Sequence, residues 1–269
     1  MSGSGQSRSK SIEMCLGEHS EQSEWRNAMS ARQSTAFARV RMAMGHSFHF
    51  GKLPGATLDA LASLATLKRY DKGELLHATG SPIEDFWFVV DGGIRVSWGA
   101  AEHPTPAIIA VAGRGSFYSI SAFVKGAKPV TCATAERGTV AAVIKIDQLL
   151  ALQESDRAFA SLVPELMLRR FQAVASLYAD VVSAPLTQRL ARRLVSHAMA
   201  GGKLGEVREQ ALHLSQSSLA IMLGASRSKI NFELRSLERQ QLIRLGYRRM
   251  FLLDFERLCT VAGSPVLPY

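Results

Sequence analysis

Residues Leu214–Ile243 read LSQSSLAIMLGASRSKINFELRSLERQQLI, a pattern that predicts two short helices joined by a tight turn. Ser215 and Ser226 each precede an apolar periodic segment, and serine is a favourable residue at a helix N-cap. Gly224 lies between the two segments and can adopt the left-handed conformation that a tight turn requires. The stretch therefore predicts a helix-turn-helix.

The second of these helices has one apolar face and one polar face. Ile230, Leu234 and Leu237 recur at helical spacing and predict the face that packs inward. In helix-turn-helix motifs the second helix enters the major groove, where arginine can bind guanine and asparagine can bind adenine. We therefore predict a recognition helix over residues 227–239. Its expected base contacts are Arg227, Ser228 and Asn231.

A basic hairpin is predicted after the recognition helix. Two apolar runs, Ile243–Leu245 and Met250–Leu253, flank GYRR at 246–249, which is the pattern of a two-stranded wing with a cationic tip. The net charge is +9, and most of the excess lies after Pro185, which favours double-stranded DNA as the partner. The alternative is a solvated hairpin on a domain that binds something else. The expected phosphate contacts are Ser215, Ser217, Ser226, Lys229, Arg235, Arg248 and Arg249.

The segment before this motif predicts a β-rich domain followed by helices. Its short β-type runs are separated by breaks rich in Gly, Pro and Asp, which is typical of a small antiparallel barrel or sandwich. From Ser155 to His197 the periodicity becomes helical, with Pro164 and Pro185 as the expected breaks. The β-type runs are Phe86–Val90, Ile94–Trp98, Ala107–Ala112 and Val140–Ile146.

The long helical segment is open to two interpretations, burial inside one chain or pairing with a second copy. Pairing is favoured because a small β domain could cover only part of such a helix. Residues 1–45 have no sustained pattern and are predicted to be a flexible extension. The residues expected to pair are Leu166, Ala173, Leu177 and Val181.

Composition and motifs argue against other classes of protein. No apolar run approaches the roughly 20 residues of a membrane helix, and the N-terminus lacks an apolar secretion signal, so the expected location is cytoplasmic. Cys15, Cys132 and Cys259 lie far apart, so neither a metal site nor a disulfide framework is expected. We find no nucleophile elbow and no phosphate-binding glycine loop, and therefore predict that the protein is not an enzyme.

Several segments together resemble the Crp–Fnr family of transcription regulators. The helix-turn-helix stretch and LTQRLARRLVSHA at 186–198 resemble that family's DNA-binding domain. Three further segments resemble its cyclic-nucleotide-binding-like barrel. They are KRYDKGELLHATGSPIEDFWFVVDGGIRVS at 68–97, GRGSFYSISAF at 113–123 and TCATAERGTVAAVIK at 131–145. The resemblance covers about Leu58–Leu258.

The resemblance implies a homodimer joined by a long central helix, here Pro164–Ser183, with an effector pocket in each barrel. It also implies that two recognition helices enter successive major grooves, about 34 Å apart, on an inverted-repeat site. RNA polymerase is then a candidate protein partner.

The predicted fold class is α+β, in four parts. Residues 1–45 form the flexible extension and residues 46–153 an antiparallel β-barrel or jelly-roll effector domain. Residues 154–184 form the dimerisation helix, and residues 185–269 form the winged helix-turn-helix domain.

The expected effector pocket departs from that of relatives that bind cyclic AMP. Ile120 stands where they have a glutamate for the ribose, and Val130–Thr131 stand where they have an Arg-Ser or Arg-Thr pair for the cyclic phosphate. A buried phosphate without its cation would be very unfavourable, so cyclic AMP is not the expected effector. Cyclic di-GMP, another small effector, or a constitutive dimer with a degenerate pocket all remain open, and no cofactor is assigned. The expected pocket residues are Arg95, Gly115, Ser119, Ser121 and Thr131.

The recognition helix departs from many relatives as well. Ser228 stands where they have glutamate and Phe232 where they have arginine, so a different DNA sequence is expected. Phe232 either contacts a thymine methyl group or packs inward, and the pattern leaves both open. His77 is expected to be structural, and with only Cys15 near the N-terminus an iron–sulfur cluster is not expected.

Overall fold

The computed structural model describes residues 33–98, 107–136, 138–200, 210–212, 214–246 and 249–263. Residues from Val40 onward belong to one compact unit. Within the described ranges, none of the helices has both the length and the hydropathy needed to cross a bilayer.

The β-rich half contains eight antiparallel strands in two sheets. They are β1 (Thr66–Tyr70), β2 (Leu75–His77), β3 (Asp85–Asp91), β4 (Gly93–Trp98), β5 (Ala107–Gly113), β6 (Phe117–Tyr118), β7 (Thr131–Ala135) and β8 (Thr139–Lys145). One sheet has the order β1-β8-β3-β6 and the other β2-β7-β4-β5. A short 3₁₀ helix, Ile120–Phe123, follows β6. This confirms the predicted antiparallel β domain in an α+β fold.

Residues before the first strand contribute to the core, which differs from the prediction of a flexible extension over 1–45. Residues 33–45 are helical (α1), while residues 1–32 lie outside the described part of the chain. Val40, Met44 and Phe50 are almost completely buried among the residues of the β-domain core. The signal was present in the sequence, because Phe37, Val40 and Met44 recur at i, i+3 and i+7.

Three helices flank the sheets: α2 (Gly55–Leu64), α3 (Ile146–Ser155) and α4 (Arg157–Ser183). Asp156 caps α4, because its carboxylate accepts hydrogen bonds from Phe159 N at 2.9 Å and from the Thr57 hydroxyl at 2.7 Å. These donors stabilise the ionised carboxylate, the Phe159 N–H most strongly, and lower the pKa of Asp156.

Helix α4 continues through Pro164, where the sequence predicted a break. Proline removes one helical hydrogen bond. On either side of it, Phe159, Leu162, Val163 and Leu166 are buried in the β-domain core and hold both turns of the helix in place.

The C-terminal half is a helical domain with a three-stranded antiparallel sheet in the order β10-β11-β9. Its elements are α5 (Leu186–Ala200), β9 (Gln210–Leu212), α6 (Gln216–Leu223), α7 (Arg227–Arg239), β10 (Ile243–Gly246), β11 (Arg249–Leu252) and α8 (Phe255–Ala262). Strands β10 and β11 form the predicted wing, and β9 is a third strand that the sequence analysis did not predict.

Strand β5 belongs to both halves of the molecule. Ala110 and Ala112 pack into the β-domain core, whereas Ile108 and Val111 pack into the core of the helical domain. The C-terminal end of the strand also lies close to α5, because a Cβ atom added to Gly113 would collide with the ring of His197. Apolar contacts on the outer face of β5 therefore join the two domains.

The close approach at Gly113 predicts a coupled pair of mutations. Gly113→Ala should lower the free energy of unfolding by about 1–3 kcal/mol, because the new methyl group forces the His197 ring to move. In the double variant with His197→Ala that loss should largely disappear. A double-mutant cycle from urea unfolding curves tests this, and strictly additive effects of the two mutations would contradict the predicted contact.

Candidate nucleic-acid interface

Serine caps and a left-handed glycine set the geometry of the helix-turn-helix. Ser215 Oγ accepts a hydrogen bond from Ser218 N at 2.9 Å and caps α6. Gly224 ends this helix with φ 61° and ψ 37°, a conformation that glycine adopts without strain. Ser226 Oγ then accepts a hydrogen bond from Lys229 N at 3.2 Å and caps α7. The helix-turn-helix is confirmed with the bounds that these three residues predicted.

Helix α7 is divided into two faces. Ile230, Leu234 and Leu237 are completely buried in the core of the helical domain. All the residues predicted to contact DNA from this helix are exposed. They are Arg227, Ser228, Lys229, Asn231 and Arg235. Their contacts with DNA remain predictions.

Phe232 lies on the same outward surface. Its side chain is 65% exposed, so it does not pack inward. Of the two alternatives that the sequence left open, the fold removes inward packing. The signal was present in the sequence, because Phe232 lies two positions from both Ile230 and Leu234, a spacing that places it on the opposite side of a helix.

An acidic side chain joins the recognition helix to the wing. Arg235 Nη1 forms an ion pair with Glu238 Oε2 at 2.8 Å. The other carboxylate oxygen of Glu238 accepts a hydrogen bond from Leu245 N in β10 at 2.7 Å. The Arg235 guanidinium is therefore already paired with a carboxylate, and we expect it to contribute less to phosphate binding than an unpaired arginine would.

The wing carries one cation that the sequence analysis did not select. The Arg244 guanidinium lies over the Phe251 ring at 4.2 Å from its centroid. The two residues are direct partners in the β10–β11 register and so share a face of the hairpin. Two phosphate contacts were predicted in the wing, and of these Arg248 and the side chain of Arg249 lie outside the described part of the chain. Ser217, a phosphate contact predicted in α6, is exposed.

Two polar contacts hold the motif against α5 and a third joins α5 to α8, and the sequence analysis identified none of them. Thr187 Oγ1 donates to Glu233 Oε2 at 2.6 Å, which fixes the middle of α7. Arg189 Nη1 donates to the Leu223 carbonyl oxygen at 3.2 Å, at the end of α6. The third, Arg192 Nε, donates to the carbonyl oxygen of Ala262 at the end of α8 at 2.6 Å. The partners are far apart in sequence, so no local pattern could indicate them.

Arg192 also joins the helical domain to the long helix. Its guanidinium forms an ion pair with Asp180, a largely buried residue in the last turns of α4. One side chain thus connects α4, α5 and α8 at the point where the chain passes from one domain to the other.

Arg95 does not lie where an effector pocket requires it. Arg95 pairs with Val111 across the β4–β5 ladder, and opposite residues share a face. Val111 packs into the helical domain, so Arg95 is on the outer face, while Ile94 and Val96 face the β-domain interior. Its guanidinium forms an ion pair with Glu136 at 2.6 Å. This corrects the prediction, which could not determine the face because a one-residue register difference reverses it.

The other four predicted pocket residues make hydrogen bonds within the protein. Thr131 Oγ1 lies 3.2 Å from the buried Tyr118 hydroxyl, which is in turn 3.1 Å from Nδ1 of His77. Burial raises the pKa of Tyr118. The Gly115 carbonyl oxygen accepts a hydrogen bond from Ser47 Oγ at 2.6 Å. The remaining two residues contact each other, since Ser121 N donates to Ser119 Oγ at 3.1 Å.

Aromatic rings fill the space beside these residues. Phe50, Phe86 and Phe123 surround Phe117, with ring centroids 5.5 to 6.3 Å from it. Phe50 comes from the segment just after α1, so residues before the first strand help to occupy the β-domain interior.

The long helix presents an apolar face that none of the described residues covers. Met167, Phe171, Val174, Tyr178 and Val181 are all exposed large apolar side chains, and Phe171 and Tyr178 are more than two-thirds exposed. These five residues are spaced alternately four and three apart. Two of the residues predicted to pair, Leu166 and Ala173, are instead buried within the chain, while Val181 is exposed and the Leu177 side chain is not described. The prediction selected a partly wrong face, because it could not tell which apolar side of α4 the β domain covers.

The sequence model of the Crp-like helix-turn-helix domain matches residues 188–261. No curated protein matches the chain. Among solved structures, FixK2 from Bradyrhizobium japonicum is similar with a TM-score of 0.63 at 20% identity, covering 75% of this chain and 98% of that one. TTHB099, a transcriptional regulator of the CRP family from Thermus thermophilus, has a TM-score of 0.56 at 21% identity, covering 75% and 100%.

A third similar structure is a c-di-GMP responsive global regulator, CLP, from Xanthomonas campestris. It has a TM-score of 0.53 at 15% identity and covers 74% of this chain and 99% of that one. At these identities the likeness of the three structures shows a shared fold.

Proposed function

We propose that this chain is a Crp–Fnr-type DNA-binding transcription regulator that acts as a homodimer and binds an inverted-repeat DNA site through α7. The observation that carries the proposal is that Arg227, Ser228 and Asn231 are all exposed on α7, while the apolar stripe of the same helix is completely buried. A helix anchored by such a stripe can enter a major groove while its apolar residues stay buried in the helical domain.

The roles of the individual side chains follow from their chemistry. Arg227 suits the O6 and N7 atoms of guanine, and Asn231 suits the N6 and N7 atoms of adenine. Ser226 and Lys229 at the start of the helix, with Ser215 and Ser217 in α6, suit phosphate oxygens. The cations of the wing would add sequence-independent affinity that weakens as salt is raised.

The uncovered face of α4 supports dimerisation. Its alternating spacing of four and three residues is the repeat of a two-stranded coiled coil, in which each apolar side chain packs between residues of the facing helix. A symmetric pair of α4 helices would bury side chains such as Phe171 and Tyr178, which a monomer leaves in water. We therefore assign the seam to Met167, Phe171, Val174, Tyr178 and Val181.

The interior of the β domain argues against cyclic AMP as effector. Arg95, one of the cations that could replace the missing arginine, is on the outer face in an ion pair, and the Gly115 carbonyl oxygen accepts a hydrogen bond from the Ser47 hydroxyl. Regulation by a different small effector is our first candidate. A dimer that binds DNA constitutively is the second, favoured by the aromatic rings that pack around Phe117. The c-di-GMP responsiveness of CLP makes cyclic di-GMP one effector to test, and RNA polymerase is the candidate protein partner.

Selection of bound sequences from a random duplex pool by the ligand-free protein tests the proposal. We expect enrichment of an inverted repeat with half-sites about 10–10.5 base pairs apart. Enrichment without an added ligand would support constitutive binding. Absence of enrichment in the ligand-free protein and in the presence of cyclic AMP, cyclic GMP or cyclic di-GMP would count against DNA binding as the function.

Arg227→Ala should weaken binding to the selected site by about 1–3 kcal/mol and relax the preference at one base pair in each half-site. Fluorescence anisotropy on selected and scrambled duplexes measures both effects. Arg69→Ala is the matched control, because it removes the same charge from an exposed position of β1. An equal loss on both duplexes would show that Arg227 contacts a phosphate instead of a base.

Phe171→Asp should convert the dimer to monomers, because it places a carboxylate in the centre of the proposed apolar seam. The monomer fold should survive, since Phe171 is 71% exposed within the chain. Sedimentation equilibrium measures the association. Ser176→Asp, at an exposed position of the same helix away from the seam, should leave the dimer intact. A Phe171→Asp protein that still sediments as a dimer would rule out this face.

A further inference from the structure

Phe232 is an apolar side chain on an otherwise polar surface of α7. With about 100° of rotation per helical residue, it lies nearly opposite the stripe formed by Ile230, Leu234 and Leu237. Rotation of its side chain cannot bring the ring into the core from that position. Its 65% exposure is therefore imposed by the helix, and an aromatic ring held in water in this way is available to a binding partner.

The side chains around Phe232 indicate the chemistry of that partner. Ser228 lies one turn before it, Arg235 one turn after it, and Asn231 beside it, all exposed. The nearby Arg227 adds a positive charge at the start of the helix. An apolar protein surface would have to remove water from these polar groups, whereas a polyanion with an apolar group in a polar groove would match them.

We infer that Phe232 contacts the C5-methyl group of a thymine in the major groove and thereby selects thymine at one position of each half-site. The inference rests on the proposed function, because α7 must lie in the groove. Among the base edges exposed there, thymine alone presents an apolar methyl group, and phenylalanine is one of the side chains that contact it.

The position of this thymine follows from the helix geometry. Phe232 comes five residues after Arg227, which corresponds to about 7.5 Å along the helix axis. Successive bases of a DNA strand are about 3.4 Å apart. With α7 lying along the direction of the strand that it reads, the selected thymine is expected about two base pairs from the base that Arg227 contacts.

Replacement of thymine by uracil isolates this contact, because uracil keeps every hydrogen-bonding group and lacks only the methyl. Each thymine of the selected half-site is replaced in turn, symmetrically in both half-sites. At one position the Kd of the wild-type protein should rise about fourfold per half-site, the factor for losing one buried methyl-sized group. Phe232→Ala should bind thymine and uracil duplexes equally. Leu75→Ala, which truncates a 57% exposed side chain in β2, should discriminate as the wild type does.

Two results would overturn the inference while leaving DNA binding intact. One is that the wild type binds the thymine and uracil duplexes with equal affinity at every position. The other is that Phe232→Ala distinguishes thymine from uracil as well as the wild type does. A change in sedimentation of Phe232→Ala with discrimination retained would assign the ring to a protein contact and would also overturn it. Because the side chain is exposed, Phe232→Ala should unfold at the wild-type temperature. If the wild type binds no selected duplex, the proposed function fails and this inference fails with it.

Discussion

The apolar packing on the outer face of β5 is the contact on which the arrangement of this molecule depends. Ile108 and Val111 belong to the core of the helical domain although they lie in a strand of the β domain. Because the ring of His197 lies against Gly113, a larger residue at that position would force the domains to adjust. A shift within this sheet would be transmitted to α5 and α6 through packed side chains. An effector could use that route only by binding the two arrangements unequally.

The recognition surface is held by contacts on the side that DNA would not touch. Thr187 fixes Glu233, Arg189 binds the end of α6, and Glu238 joins α7 to the wing. These bonds are made by side chains on the buried or half-buried side of the motif. Arg227, Asn231 and Phe232 are exposed on α7, so their identities can vary with the DNA sequence without loss of the fold.

Helix α4 has apolar side chains on two opposite sides. One side completes the β-domain core through Leu162, Val163 and Leu166, while the opposite side presents Phe171 and Tyr178 to solvent. Its last turns are tied to the helical domain by the ion pair between Asp180 and Arg192. A second copy packed on the exposed side would therefore be connected to the helical domain through the ion pair between Asp180 and Arg192 as well as through the chain itself.

Local chemistry determined the features that the sequence revealed by itself. Ser215, Gly224 and Ser226 define the helix-turn-helix, and the spacing of Ile230, Leu234 and Leu237 defines its buried face, because caps and periodicity depend on residues only a few positions apart. Tertiary packing decided the rest. The sequence could not show that α1 joins the β-domain core, that Arg95 faces outward, or which side of α4 is covered. Each of these depends on which distant element packs against the residue, and a strand register or a helix face has no local signal that identifies its partner.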